Sequence, residues 1–202
     1  MKKLTRKLAV AAALVASMAT ANASLITSTG DAALTGATVE TFDSVVSGDY
    51  ASLALAGVTV VGVGGPMTVD SVWTGAYGLG GQTLHNSSSS PLSFDLLFST
   101  PVSAFGIWGG AVNNSWTYSA YDAADVLIES VTTSGACCAP TFHGIANTGI
   151  ARVRLDGVGD WVIFDDLHFV AGGQAVPEPA TLALFGLGLA GLAAIRRRKN
   201  SV

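Results

Sequence analysis

The residues best suited to chemistry are four carboxylates near the two ends of the central part of the chain. Glu40 and Asp43 lie close to its start, and Asp165 and Asp166 lie close to its finish. Carboxylate oxygens are the ligands that Ca²⁺ prefers in proteins. We therefore expect a structural Ca²⁺ site if the first and last strands of the fold are neighbours. The alternative is a set of solvated charges at strand edges.

The two C-terminal carboxylates belong to consecutive residues. Consecutive side chains of a regular strand point to opposite faces. By this alternation Asp165 shares its face with Ile163 and Leu167, whereas Asp166 shares its face with Phe164. At most one of the two aspartates can therefore join a single site, unless the backbone bulges between them.

Aromatic and amide side chains provide the best indication of a ligand site. Trp73 and Tyr77 flank a Gly- and Ser-rich segment, and Trp108 precedes Asn113 and Asn114. Trp and Tyr combine a large apolar face with a polar atom, so they suit the apolar faces of sugar rings. We predict a carbohydrate-binding surface from these five residues. The alternative is that each aromatic side chain belongs to the core.

Cys137 and Cys138 are the two cysteines of the chain, and they are adjacent. In an oxidising compartment, paired cysteines usually form a disulfide. Three states stay open: a vicinal disulfide that staples the local turn, two free thiols, or a bond to another chain.

The sequence has no HExxH or GxSxG pattern, so zinc-hydrolase and serine-hydrolase functions lack support. We expect a protein that is not an enzyme.

The first 23 residues have the pattern of a secretory signal peptide. Basic residues between positions 2 and 7 precede the apolar run Leu8–Ala19. Ala21 and Ala23 then form a small-x-small cleavage site, which predicts removal by signal peptidase and a new N-terminus at Ser24.

The C-terminal segment, residues 176–202, has three unlike parts in a fixed order. An extended break comes first, since each proline fixes its own φ and restricts the residue before it. The uncharged run Ala180–Ile195 follows, and as a helix it would be about 24 Å long, slightly short of a hydrocarbon core of about 30 Å. Basic side chains at its end can cover part of this deficit, so the run predicts a weak membrane anchor. A basic stop ends the segment, which places the preceding domain outside the cell. The residues of the break and the stop are Pro177, Glu178, Pro179, Arg196, Arg197 and Arg198.

This tail resembles the PEP-CTERM sorting signal of exported bacterial proteins. The resemblance implies recognition and removal of the tail by an exosortase, a membrane enzyme. It also implies association with exopolysaccharide and the biofilm matrix. The expected course is transient membrane anchoring through the C-terminus, followed by display at the cell surface or release into the extracellular matrix.

The segment between the two targeting sequences is strongly acidic. Residues 24–175 contain 13 Asp or Glu and two Arg, a formal charge of −11, because eight of the ten basic residues lie in the targeting segments. Such a domain repels nucleic acid and anionic membrane surfaces. We therefore expect no nucleic-acid partner.

Alternating hydrophobicity and turn signals predict short strands throughout residues 24–175. Trp116–Tyr121 and Ile150–Leu155 alternate cleanly, and residues 122–125 fit a hairpin turn. We read Leu92–Phe98 and Val102–Trp108 as two separate strands, and 75–90 as a long polar loop. The expected fold is all-β: an antiparallel β-sandwich of jelly-roll type, with helices in the two targeting segments.

The domain also resembles a β-sandwich module common in PEP-CTERM proteins. That resemblance implies carbohydrate binding and a structural Ca²⁺ where the first and last strands meet. The segments that carry it are Glu40–Asp43, Phe105–Gly106, Tyr121–Ala123, Gly149–Val153 and Asp165–Phe169.

The sequence thus predicts an exported surface or matrix protein that contacts polysaccharide. Two alternatives stay open. A secreted hydrolase of polymers requires a cleft with paired carboxylates, one of them of raised pKa. A purely structural subunit requires self-association through exposed strand edges.

Overall fold

The computed structural model describes residues 24–86, 93–135, 137–157 and 159–172. This part of the chain is an all-β, antiparallel structure with two short 3₁₀ turns, Ala32–Leu34 and Ala76–Gly78. The predicted helices of the signal peptide and the C-terminal tail lie outside the described residues. The strands are β1 Ser24–Ile26, β2 Thr38–Glu40, β3 Gly48–Tyr50, β4 Ser52–Ala54, β5 Val58–Val63, β6 Met67–Asp70, β7 Thr83–His85, β8 Ser93–Gly110, β9 Trp116–Tyr121, β10 Leu127–Thr133, β11 Thr141–Gly157 and β12 Ile163–Ala171.

Two long strands, β8 and β11, are shared by both halves of the sandwich. The second half of β11 pairs with the first half of β8 and with β9, and β5 pairs with β8 on its other side. We call this half the β9 sheet; it also includes β10 and β4. The first half of β11 pairs with the second half of β8, which is followed by β12, β7, β6 and β3. We call this half the β12 sheet.

The core lies between the two sheets and is built mainly from aromatic and branched aliphatic side chains. Phe164 of the β12 sheet makes edge-to-face contacts with Phe94 and Trp116 of the β9 sheet, each at 5.4 Å between ring centroids. Aromatic pairs prefer this geometry. In β9, Trp116, Tyr118 and Ala120 are buried as the alternation predicts.

The outer face of the β9 sheet is polar and carries both arginines of residues 24–175. Arg154 binds Asp95 through Nε and Nη2, at 2.8 and 2.7 Å. Arg152 donates from Nε to Asp125 Oδ1 at 2.9 Å and lies 3.8 Å from the centre of the Tyr121 ring. Both arginines point away from the core, in keeping with the alternating pattern of Ile150–Leu155.

Two features of the chain differ from the sequence prediction. The segments read as separate strands around Ser99 and Pro101 form one continuous strand, β8, which changes sheets there. The long loop predicted at 75–90 contains a further strand, β7, in the middle of the β12 sheet. The all-β antiparallel class is confirmed, and the finer jelly-roll connectivity stays a prediction.

The last strand, β12, pairs with β2 near the start of the domain, whereas the first strand, β1, pairs with β11. Leu167, His168 and Phe169 of β12 pair with Glu40, Val39 and Thr38 of β2. This pairing places the start of the domain against the strand that holds the C-terminal carboxylates.

Candidate functional site: a cleft beside an aromatic cluster

A bulge in β12 brings the two consecutive aspartates to one place. Asp165 pairs with Trp108 and His168 pairs with Gly106, so β12 has one residue more than β8 over this stretch. Asp166 takes a left-handed conformation there, with φ of 46°. An extra residue of this kind redirects the side chains of the bulged strand. The backbone bulge that a common site for both aspartates requires is therefore present.

Both carboxylates line a cavity of about 240 Å³. We call it the cleft. Its walls come from β12, from the end of β8, from the 3₁₀ turn after β6 and from the turn that precedes β11. The lining residues are Gly78, Leu79, Gly80, Trp108, Pro140, Asp165 and Asp166.

Asp165 is the electrostatically unusual group of the cleft. It is only 4% exposed, and burial raises the pKa of its carboxyl to about 7. The nearby carboxylates of Asp166 and Asp43 raise this pKa further, whereas the backbone N–H groups of Asp166 and Gly80 oppose the shift. The Asp166 N–H donates to Asp165 Oδ1 at 2.8 Å. At neutral pH, a large fraction of Asp165 is therefore protonated.

The predicted calcium ligands are only partly brought together. Asp43 lies close enough to act on Asp165, but its Oδ1 accepts the N–H of Gln82 at 2.8 Å. Glu40 uses Oε1 to accept the N–H of Phe42 at 3.1 Å. The cleft thus offers the carboxylates of two residues, whereas Ca²⁺ takes about six to eight oxygen ligands.

Among residues 24–86, 93–135, 137–157 and 159–172, no group of three or more His, Cys, Asp or Glu side chains is placed to hold a metal ion. Asp43 and Glu40 instead hold backbone N–H groups of their own surroundings. Calcium binding stays a prediction.

Four half-buried aromatic side chains gather next to the cleft, and we call them the aromatic cluster: Trp73, Tyr77, Trp108 and Trp161. Trp161 contacts Trp73 and Tyr77, with ring centroids 4.4 and 6.0 Å apart. All four pack against a buried group formed by Leu79, Ala111 and Ile163. Leu79 and Trp108 also line the cleft, so the cluster and the cleft form one continuous surface.

A glycine at the end of β8 allows this arrangement. A Cβ on Gly110 would lie 2.9 Å from the Tyr77 Cβ and 3.2 Å from a Leu79 methyl group. The segment after β6 can therefore lie directly on the β12 sheet only because position 110 has no side chain. The sequence identified Trp73, Tyr77 and Trp108 for this surface, and the structure brings these three together.

The two asparagines predicted for the same surface are organised by a buried carboxylate. Asp160 Oδ2 accepts the backbone N–H groups of Asn113 and Asn114 and the Trp116 Nε1–H, each at 3.0 Å. Asp160 is 5% exposed, whereas both asparagine side chains are exposed. Neither asparagine is among the residues that line the cleft.

Cys137 and Cys138 form a disulfide with each other in this structure. Both residues are exposed, and Pro140, two residues after Cys138, forms part of the cleft wall. The disulfide therefore restricts the turn that precedes β11 close to the cleft.

Sequence reasoning missed two residues of this region, Trp161 and Asp160. Trp161 lacked a signal because its neighbours along the chain predict a strand and therefore a core position. The sequence signal for Asp160 was weak: a single carboxylate in a Gly-rich loop often accepts hydrogen bonds from backbone N–H groups.

The predicted cleavage-site alanines Ala21 and Ala23 and the tail residues 173–202 lie outside the described residues. Within the part of the chain that the structure does describe, no helix has the length and apolar character needed to cross a membrane.

Comparison with known proteins gave similarities to solved β-structures of low sequence identity. The adhesin domain of Lys-gingipain from Porphyromonas gingivalis has a TM-score of 0.45 and 11% identity, and the match covers 68% of this chain and 99% of that domain. A carbohydrate-binding module, TmCBM61, solved in complex with β-1,4-galactotriose, has a TM-score of 0.41 and 16% identity, with 56% and 88% covered.

A family 29 carbohydrate-binding module has a TM-score of 0.38 and 13% identity, and the match covers 71% of this chain and 98% of the module. At such scores these similarities carry no conclusion about a ligand. The comparison with curated protein sequences gave no significant match.

A protein-family comparison matched the C-terminal tail. Residues 175–199 match the PEP-CTERM protein-sorting motif, which contains the predicted break and the basic stop. The motif implies processing by an exosortase-type enzyme. The chain thus carries a PEP-CTERM sorting motif, and this motif implies an exported protein that is sorted to the cell envelope.

Proposed function

We propose that this protein is a non-enzymatic surface or matrix protein that binds polysaccharide through the cleft and the aromatic cluster. The observation that carries the proposal is the continuity of these two features through Leu79 and Trp108. Partly exposed aromatic faces suit the apolar faces of sugar rings, and neighbouring carboxylates accept hydrogen bonds from sugar hydroxyls. The producing organism's exopolysaccharide is the proposed ligand, in keeping with export.

Binding should depend on the aromatic cluster. We expect Trp73→Ala to weaken binding to the host's exopolysaccharide about tenfold, which corresponds to roughly 1.4 kcal/mol. The measurement is affinity electrophoresis of the protein isolated from its host, with thermal unfolding of each variant as a folding control.

Tyr121→Ala is the matched control for this experiment. It also removes a partly exposed aromatic ring, but one that lies on the β9 sheet beneath Arg152. Equal losses in the two variants, or no retention of the unmodified protein, would contradict the proposal. If the polysaccharide retains neither the unmodified protein nor any variant, and the protein self-associates, the structural-subunit alternative would be favoured.

Hydrolysis of a polymer is a second candidate function, favoured by the Asp165 carboxyl with its pKa near 7 in the cleft. A glycosidase needs a carboxyl that stays protonated to donate a proton and a second carboxylate nearby. In this protein, however, Asp165 and Asp166 are adjacent on one strand, and glycosidase carboxyl groups usually flank the scissile bond.

We therefore expect no release of reducing ends when the protein is incubated with the polysaccharide. Release that is lost in Asp165→Asn but kept in Asp156→Asn, a change at an exposed position, would establish the hydrolase instead.

A further inference from the structure

The charges around the cleft are of one sign. Asp165 and Asp166 line it, and Asp43 is near enough to raise the pKa of Asp165. The Asp166 side chain is partly exposed, and among the described residues its carboxylate accepts no hydrogen bond and forms no ion pair. His168 lies near Asp166, and burial lowers the pKa of its imidazole, so it is neutral at pH 7.

Within the part of the chain that the structure describes, no lysine or arginine is available to balance these carboxylates. Residues 24–172 contain no lysine, and their two arginines lie on the outer face of the β9 sheet. Arg154 is held by Asp95 at 2.7 Å, and Arg152 is held by Asp125 and Asp95. Both guanidinium groups are therefore engaged, and they belong to the sheet that does not form the cleft.

A ligand that fills the cleft displaces water from Asp166, and the lost hydration must be replaced. A neutral sugar replaces it with hydroxyl hydrogen bonds alone. A uronic acid adds a like charge in a region of reduced solvent screening. A protonated amino group supplies a charge-assisted hydrogen bond to a carboxylate, which is roughly twice as strong as a neutral one.

We infer that the polysaccharide bound by the cleft carries free amino groups, with an ammonium group beside Asp166 and a sugar face on Trp108. The ligand class is a partly or fully de-N-acetylated amino-sugar polymer. The inference rests on the proposed function, because it names the ligand of the same surface.

The test compares three soluble tetrasaccharides by isothermal titration calorimetry at pH 6 with the protein isolated from its host. The probes are β-1,4-linked glucosamine, its fully N-acetylated form and α-1,4-linked galacturonic acid. We expect the amino form to bind at least tenfold more tightly than the acetylated form, and the uronic acid to show no binding. Added NaCl should weaken binding of the amino form alone, because salt screens the ion pair.

The decisive variant is Asp166→Asn. Asn tolerates the left-handed conformation that Asp166 adopts, so the bulge is retained. In this variant the amino form should bind about as tightly as the acetylated form, while the affinity for the acetylated form is unchanged. Asp156→Asn removes an exposed carboxylate from the β9 sheet and should leave the preference intact, which controls for general attraction of cations to an acidic protein.

Equal binding of the amino and acetylated forms would overturn the inference, as would a preference that survives in Asp166→Asn. If the host's exopolysaccharide still binds in a Trp73-dependent manner, such results overturn the ligand class and leave the proposed function in place. If no carbohydrate binds, including the host's polysaccharide, both the inferred ligand class and the proposed function would be overturned.

Discussion

Asp165→Asn is expected to stabilise the protein by about 2 kcal/mol at pH 8 and to remove most of the decline in stability between about pH 4 and pH 7. Burial raises the pKa of the Asp165 carboxyl from 3.8 to about 7. Between these values the folded state binds the proton more strongly than the unfolded state, so stability falls as pH rises and levels off above pH 7.

The size of this effect follows from the shift. A change of three pKa units corresponds to about 4 kcal/mol, and water in the adjoining cleft reduces it to roughly half. Asn has nearly the same shape and keeps an oxygen for the Asp166 N–H, but it never ionises. The measurement is urea unfolding from pH 4 to pH 9, with Asp156→Asn as the control. An unchanged pH profile in Asp165→Asn would show that Asp165 ionises freely in the folded protein.

Asp160→Ala should destabilise the protein by about 4 kcal/mol, the largest loss that we expect from a single polar substitution. Asp160 Oδ2 accepts hydrogen bonds from three N–H groups, and all three would lose their acceptor. One of these donors, the Trp116 indole, is buried. Each buried donor without a partner costs about 1–3 kcal/mol, and exposure of Asn113 and Asn114 lets water recover part of the cost.

Thermal or chemical denaturation measures this effect directly. Asp156→Ala is the matched control, since Asp156 is exposed, and its replacement should change stability by less than about 0.5 kcal/mol. A loss of similar size in both variants would show that the Asp160 hydrogen bonds contribute nothing specific.

The sequence predicted strands well where side chains alternate and neighbouring turns are marked by their residue types. Trp116–Tyr121 was predicted with its observed bounds, and residues 122–125, expected to form a hairpin turn, connect the paired strands β9 and β10. It failed at Ser99–Pro101, where a Ser, a Thr and a Pro indicate a turn but the chain continues as one strand through the sheet change. Which of these outcomes occurs depends on tertiary packing, and local residue types do not determine it.

The candidate site was predictable in its residue types and less so in its geometry. Aromatic side chains at positions 73, 77 and 108 were identified, but Trp161 joins them through a fold-level contact that no local pattern indicates. The bulge at Asp166 was stated only as a condition, because one extra residue in a strand leaves no trace in composition. The engagement of Asp43 and Glu40 with backbone N–H groups likewise depends on the turns around them.

The sharing of β8 and β11 between the sheets has a consequence for how long the protein survives after export. Neither sheet can release its central strand pair without disrupting the other, so opening one half alone gives little access to an unfolded segment. Proteases outside the cell cut mostly chains that have opened, and no refolding machinery of the cytoplasm acts there. We therefore expect the domain to resist digestion until the whole sandwich opens, with a lifetime governed by one global unfolding rate.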